Sequence, residues 1–361
     1  MTKIDIVSGF LGAGKTTLIR KLLADALKGQ QVVLIENEFG EIGIDGGFLK
    51  DAGIEIREMN SGCICCSLVG DFGTALKEVI ETYHPDRVII EPSGVGKLSD
   101  VIHAVENNVY GTDMKLNSAS TVVDVTKCKM YNKNFGEFFK NQIEAAGTVV
   151  LSRMDTPKAT PEKVDEAMEI IRHLNPTAVV ITTPVETLSG QKLLDTIEGS
   201  IIDLSRVEEE HEHHHHHDHE EHEHYHHDHE EHEHHHHDHE EHEHHHHDHE
   251  EHEHHHHDHE HHHHHHDHDA DEIFTSWGVE TVRKFTRQEL EGILDRLADE
   301  KTYGMVLRAK GMVEDVDGSW IYFDMVPEET DIRSGEPEFT GRLCVIGSEL
   351  KEDRLAELFG V

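Results

Sequence analysis

The chain is short of cations, of cysteine and of long apolar runs. Its 361 residues carry 32 Lys and Arg against 74 Asp and Glu, a formal net charge of −42. The basic footprint that nucleic acid needs is missing, and an anionic membrane surface would repel such a chain. No run of about 18 apolar residues occurs, which excludes an ordinary spanning helix. The chain opens directly on a strand-like segment, MTKIDIVSGF, without a signal-peptide pattern. Only five cysteines are present, three of them packed into Cys63-Ile64-Cys65-Cys66. That is not a disulfide framework. It suits a reducing compartment, the cytoplasm, where thiols stay available for metal.

Histidine, by contrast, is concentrated. Of the 40 histidines, 37 lie between His211 and His268, and every other residue there except Tyr225 is Asp or Glu. The unit HHHHDHEEHE repeats with a period of ten from His214, so His214, His215, His216 and His217 form the first of several imidazole clusters. Neutral imidazole binds zinc, nickel, cobalt and copper, and flanking carboxylates add oxygen ligands. Protons compete for the same nitrogens, so affinity should fall in mild acid. With no apolar face at any period, residues 206–272 are expected to stay disordered without metal. A purification tag would sit at a terminus rather than form an internal decapeptide repeat.

Around this tract lie two globular blocks. Residues 1–205 alternate β-branched runs with helical patterns, the mark of an α/β fold with a mainly parallel sheet. Strands are predicted at Ile4–Ser8, Gln31–Glu36, Arg87–Glu91, Ser120–Val125, Thr148–Ser152 and Ala178–Thr182, and helices at Lys15–Leu27, Asp71–Tyr83 and Pro161–Leu174. Residues 273–361 read as a small α+β domain. Its predicted strand groups are Gly304–Val313 and Trp320–Val326, its helices Thr286–Ala298 and Glu349–Phe359. Trp277 and Trp320 are expected to anchor it, Cys128 and Cys344 to be core, and His84, His103 and His173 to be structural or surface residues.

The segment Gly9-Phe-Leu-Gly12-Ala13-Gly14-Lys15-Thr16-Thr17 fits G-x-x-x-x-G-K-[ST] between a predicted strand and a predicted helix. Such a P-loop wraps backbone N–H groups around phosphates, Lys15 reaches the β/γ oxygens, and the Thr16 hydroxyl binds Mg²⁺. Val88-Ile-Ile-Glu91-Pro-Ser-Gly94 ends an apolar strand in a carboxylate, as needed near Mg²⁺. It carries Glu where Asp is usual, and Gly94 could meet the γ-phosphate through its backbone. Ser152-Arg153-Met154-Asp155 is similar to the [NTS]-K-x-D guanine motif, with Arg153 in the lysine position; Asp155 would accept from guanine N1–H and the 2-amino group. A plain strand followed by a polar turn is the alternative.

Three thiols in four positions, Cys63, Cys65 and Cys66, suit Zn²⁺ or a competing soft or borderline cation. Packed free cysteines are the alternative. A fourth ligand is open: Glu36, Glu38, Glu41, solvent or a partner's side chain.

Together these residues resemble the CobW-type P-loop GTPases, relatives of the enzymes that deliver nickel to hydrogenase and urease. SGFLGAGKTTLI, ENEFGEIGID, the C-x-C-C motif, Glu91-Pro-Ser-Gly94 and NPTAVVITT carry the resemblance. VLRAKGMV, WIYFDMV and RLCVIG extend it to the C-terminal block. It implies a GTPase metallochaperone: Lys15, Thr16 and Glu91 act on phosphate and Mg²⁺, Asp155 reads guanine, and the three cysteines hold zinc, cobalt or nickel for a client apo-metalloprotein. Arg153 and Pro92 depart from the family pattern. Hydrolysis is expected to be slow until a client docks. A homodimer stays open. So do two other readings, a metal store with a regulatory GTPase and a nucleotide-dependent protein of cobalamin synthesis.

Overall fold

The computed structural model describes residues 1–37, 55–59, 64–109, 112–205, 207 and 273–361; side chains of residues 37, 55–59, 64–72 and 75 fall outside that description. The histidine tract and Cys63 also lie outside the described residues.

Seven strands form one sheet: β1 (Thr2–Gly9), β2 (Val32–Asn37), β3 (Glu55–Met59), β4 (Arg87–Glu91), β5 (Met114–Asp124), β6 (Thr148–Ser152) and β7 (Val179–Ile181). Their order is β3-β2-β4-β1-β5-β6-β7, and every pair is parallel. A parallel sheet needs helices on both faces, and the strands alternate accordingly. Ile4, Ile6, Val88 and Ile90 point to one core, Val7, Leu34, Ile89 and Val150 to the other. The second core is covered by α1 (Lys15–Asp25) and α7 (Gly190–Glu198). The first is covered by α2 (Ile64–Tyr83), α3 (Leu98–Val109), α4 (Cys128–Asn134), α5 (Gly136–Glu144) and α6 (Pro161–Leu174). Helix α2 begins well before the predicted Asp71, so the backbone of Cys65 and Cys66 lies in its first turn.

The C-terminal block is an antiparallel sheet of β8 (Thr275–Thr281), β9 (Met305–Glu314), β10 (Trp320–Val326), β11 (Glu329–Gly335) and β12 (Gly341–Ser348), in the order β11-β10-β9-β12-β8. One face packs on α8 (Arg287–Arg296) and α10 (Glu352–Phe359), with the short α9 (Glu300–Tyr303) between them in sequence. The other face, through Leu307, Met312, Trp320, Tyr322, Cys344 and Ile346, joins the first core of the parallel sheet. The two sheets therefore belong to one compact unit. Trp277 stacks on Phe359 within the small domain, whereas Trp320 lies on the shared face. Val207 and Phe274, which flank the histidine tract, are both buried in this shared core. Cys128 and Cys344 are buried, while His84, His103 and His173 are exposed.

Candidate functional site

The phosphate loop leaves the carboxyl end of β1, the strand at which the chain switches from one side of the sheet to the other. That crevice is where open α/β sheets bind ligands. The helix-initiating Gly14 has φ 102°, which frees the first N–H groups of α1 to face a ligand. Lys15 is buried at 7% exposure and its Nζ donates to the Gly9 carbonyl at 3.1 Å, across the mouth of the loop.

Glu91 ends β4, the neighbour of β1, and comes directly to this loop. The Thr16 hydroxyl donates to its carboxylate at 3.2 and 3.4 Å. A hydroxyl and a carboxylate in contact are a hard oxygen set, suited to Mg²⁺ and its waters. Lys15, Thr16 and Glu91 share one cavity of about 340 Å³, with Gly12, Gly14, Thr17 and Arg153. Glu36 is the register partner of Glu91 on β2 and is 5% exposed, so it stands at the same end of the sheet.

The loop after Glu91 is held from behind. Gln142 on α5 is fully buried, and its Nε2 donates to the carbonyls of Gly94 and Gly96 at 3.1 and 2.9 Å. Gly94 lies flat on the phosphate loop: a Cβ there would stand 2.8 Å from the Leu11 nitrogen. Motif reading missed Gln142, because a lone glutamine in a helix carries no spacing signal.

A second cavity, of about 170 Å³, opens beside the first and shares Gly14, Thr17 and Arg153 with it. Ala13, Ser152 and Asp155 line it, as do Met154 and Thr156. Arg153 adopts φ 62°, which turns the chain after β6. Its guanidinium donates to the Gly12 carbonyl at 3.4 Å and to Glu329 of β11 at 2.7 Å. The Ser152 hydroxyl is buried without a hydrogen-bond partner among the described residues. An orphaned polar atom in a cavity wall fits a polar ligand such as a nucleoside. The structure thus brings Gly12 to Thr17, Glu91, Ser152, Arg153 and Asp155 to two adjoining cavities, while Gly9 lines neither and Gly94 packs behind the loop. Of the expected metal ligands, only Glu36 and Thr16 have described side chains. Among the described residues no group of three His, Cys, Asp or Glu is placed to hold a metal.

The family profile described as CobW/HypB/UreG, nucleotide-binding domain, matches residues 3–182, and that of the cobalamin synthesis protein cobW C-terminal domain matches residues 274–360. The chain belongs to the CobW/HypB/UreG family. Among its relatives is the zinc chaperone YeiR of Escherichia coli strain K12, 33% identical over 162 residues, 45% of this chain and 49% of that protein. The zinc chaperone CobW of a Sinorhizobium species is 34% identical over 178 residues, 42% of this chain and 50% of the other. The zinc-regulated GTPase metalloprotein activator 1 of Dictyostelium discoideum is 24% identical over 230 residues, covering 54% and 48%. The chain therefore spans about half the length of these family relatives. Among its described residues no helix is long and apolar enough to cross a membrane.

Proposed function

We propose that this protein is a GTP-hydrolysing metallochaperone that passes a transition metal to a client apo-protein, with release timed by the nucleotide. The observation that carries the reading is the convergence of Lys15, Thr16 and Glu91 in a cavity that runs into the Asp155 pocket. Lys15 would bind the β/γ oxygens, and Thr16 and Glu91 would hold magnesium. Magnesium, when bound, neutralises charge on the β- and γ-phosphate oxygens. Asp155 accepts from guanine N1–H and the 2-amino group, and the Ser152 hydroxyl lies in the same wall.

The cargo is zinc, cobalt or nickel, and the names of the relatives favour zinc. Cys63, Cys65 and Cys66 would supply the thiolates, and Glu36 is the candidate fourth ligand. Because Glu36 neighbours Glu91 in register, metal and nucleotide would be coupled, and linkage makes that coupling reciprocal. Loss of the γ-phosphate relaxes the loops around Glu36 and after Glu91 and weakens metal binding. Residues 206–272, with His214 to His217 as their first cluster, raise the local metal concentration. The setting is the cytoplasm.

The test is metal affinity of the wild type and of Cys65→Ser for zinc, nickel and cobalt, with GTP, with GDP and without nucleotide. Tighter binding with GTP, lost in Cys65→Ser, is expected. Equal affinities in all three states would sink the switch. The histidine tract favours a second reading, a metal store with a regulatory GTPase. If deleting residues 211–268 abolishes client activation even in metal-replete medium, delivery through the cysteines alone is wrong. The cobalamin-synthesis description of the C-terminal profile favours a third. ATP turnover indifferent to Asp155→Ala would support that one.

A further inference from the structure

The C-terminal sheet reaches the phosphate loop itself. Gly12 has φ +67°, and a Cβ there would stand 2.4 Å from Val326 Cγ1 on β10. The Arg153–Glu329 ion pair closes the same seam. In consequence the far wall of the Lys15–Thr16–Glu91 cavity is made by the C-terminal residues Arg308, Asp324, Asp331 and Arg333.

Arg308 is the less exposed of the two arginines in this wall. Its Nε and Nη2 donate to the two Asp324 oxygens at 3.1 and 2.6 Å, and its side chain is 17% exposed. A bidentate guanidinium tied across two adjacent strands has already lost most of its rotamer freedom, and its charge is permanent. Asp324 neutralises Arg308 in this state and competes with an incoming anion for it, whereas the other two carboxylates of the wall have arginines of their own. Asp324 is held by Arg308, Glu329 by Arg153, and Asp331 by Arg333 at 2.6 Å. A polyphosphate seated on Lys15 therefore faces an arginine already positioned by the other domain, which it would engage in exchange for Asp324.

We propose that Arg308 acts in cis on the nucleotide, contacting the terminal phosphate of the triphosphate held by Lys15 and Thr16. The C-terminal domain thereby distinguishes GTP from GDP and stabilises charge during hydrolysis. In that step a water oxygen bonds to the γ-phosphorus and the bond from phosphorus to the β–γ bridging oxygen breaks. GDP departs with the electron pair, and the water proton ends on inorganic phosphate. Arg308 supplies charge and exchanges no proton. This inference rests on the GTP-hydrolysing reading above.

The experiment measures GTP and GDP affinity by calorimetry with Mg²⁺, and single-turnover hydrolysis, on the full chain. Wild type, Arg308→Ala, Arg308→Lys and Lys15→Ala are compared. Arg308→Ala should weaken GTP by about tenfold, the scale of one hydrogen bond to a charged group, and leave GDP within about twofold. It should slow single-turnover hydrolysis by on the order of a hundredfold or more, with Arg308→Lys in between. An unchanged GTP/GDP ratio and rate would overturn the proposal. So would parallel loss of GTP and GDP affinity with a lowered Tm, which is the signature of a merely structural ion pair. If Lys15→Ala loses nucleotide while Arg308→Ala changes nothing, only this proposal fails. If the wild type binds no GTP, both readings fail.

Discussion

Cys128 opens α4 with its thiol closed off from water. Burial, with Glu166 and Asp124 nearby, pushes its pKa up to about 12. The nucleophile is the thiolate, and a rise of about three units leaves roughly a thousandfold less of it at pH 8. In the folded protein an alkylating reagent should spare Cys128 and label it only after denaturant, as peptide mass spectrometry can follow. Prompt labelling of Cys128 in the native state would contradict its burial. The same experiment, run with zinc present, reports protection of Cys63, Cys65 and Cys66.

A second residue-level consequence comes from the amino end of the sheet, far from the nucleotide crevice. Arg87 is buried and bonds Asp5 and Glu198, while Lys3 and Asn117 also donate to Glu198. Burial works to raise the Glu198 pKa, but the hydrogen bonds from Arg87 and Lys3 and the Arg87 charge outweigh it and hold the carboxyl below its ordinary 4.5. A depressed folded pKa stabilises the native state above about pH 4.5, and the gain is lost as pH falls through the folded value. Glu198→Gln should therefore be less stable than wild type at neutral pH, and the gap should close as pH falls below 4.5 and through the folded value. Urea midpoints across that range decide it; a constant gap would show that the effect is packing.

At the scale of elements, legibility followed burial. Four elements, β4, β6, α6 and β10, fall where the residue pattern predicts them. Three are buried apolar strands, and α6 carries a Thr160 cap with Pro161 in its first turn. Strand β11 escaped notice because Glu329–Gly335 is a polar, exposed edge without alternation. Helices α3, α4 and α5 were not among the predicted elements; α4 and α5 are short, at seven and nine residues, and have no side-chain cap to mark their starts. Their cost to the site reading was Gln142. It satisfies two buried carbonyls behind Glu91, and Gln142→Ala leaves both without that donor. Unfolding free energy should drop by about 2 kcal/mol. Because the loop it holds lies on Leu11 of the phosphate loop, the GTP off-rate should rise as well. Loss of stability with unchanged nucleotide kinetics would confine Gln142 to a packing role.

For the whole molecule, what the residues could not announce was the closeness of the two sheets. Gly12 is read from sequence as a phosphate-loop glycine, yet its missing Cβ also admits Val326. Phe10, a variable position of the motif, is the hub of an aromatic cluster with Tyr131, Phe135, Phe139 and Phe274, the ring of Phe274 lying 6.2 Å away. Pairing across that much sequence leaves no local pattern. Phe274 is 1% exposed and also meets Phe138 at 5.1 Å, so it bolts the chain that follows the histidine tract onto the phosphate-loop core. Phe274→Ala should cost about 3–5 kcal/mol, as large-to-small changes in packed cores do. Both tryptophans belong to the C-terminal sheet, whereas far-ultraviolet circular dichroism reports every helix. If the domains share one core, tryptophan fluorescence and circular dichroism should shift to lower urea together in the variant. A fluorescence transition that moves alone would mean that the two sheets unfold independently, and that nucleotide and C-terminal wall are coupled less tightly than their shared cavity implies.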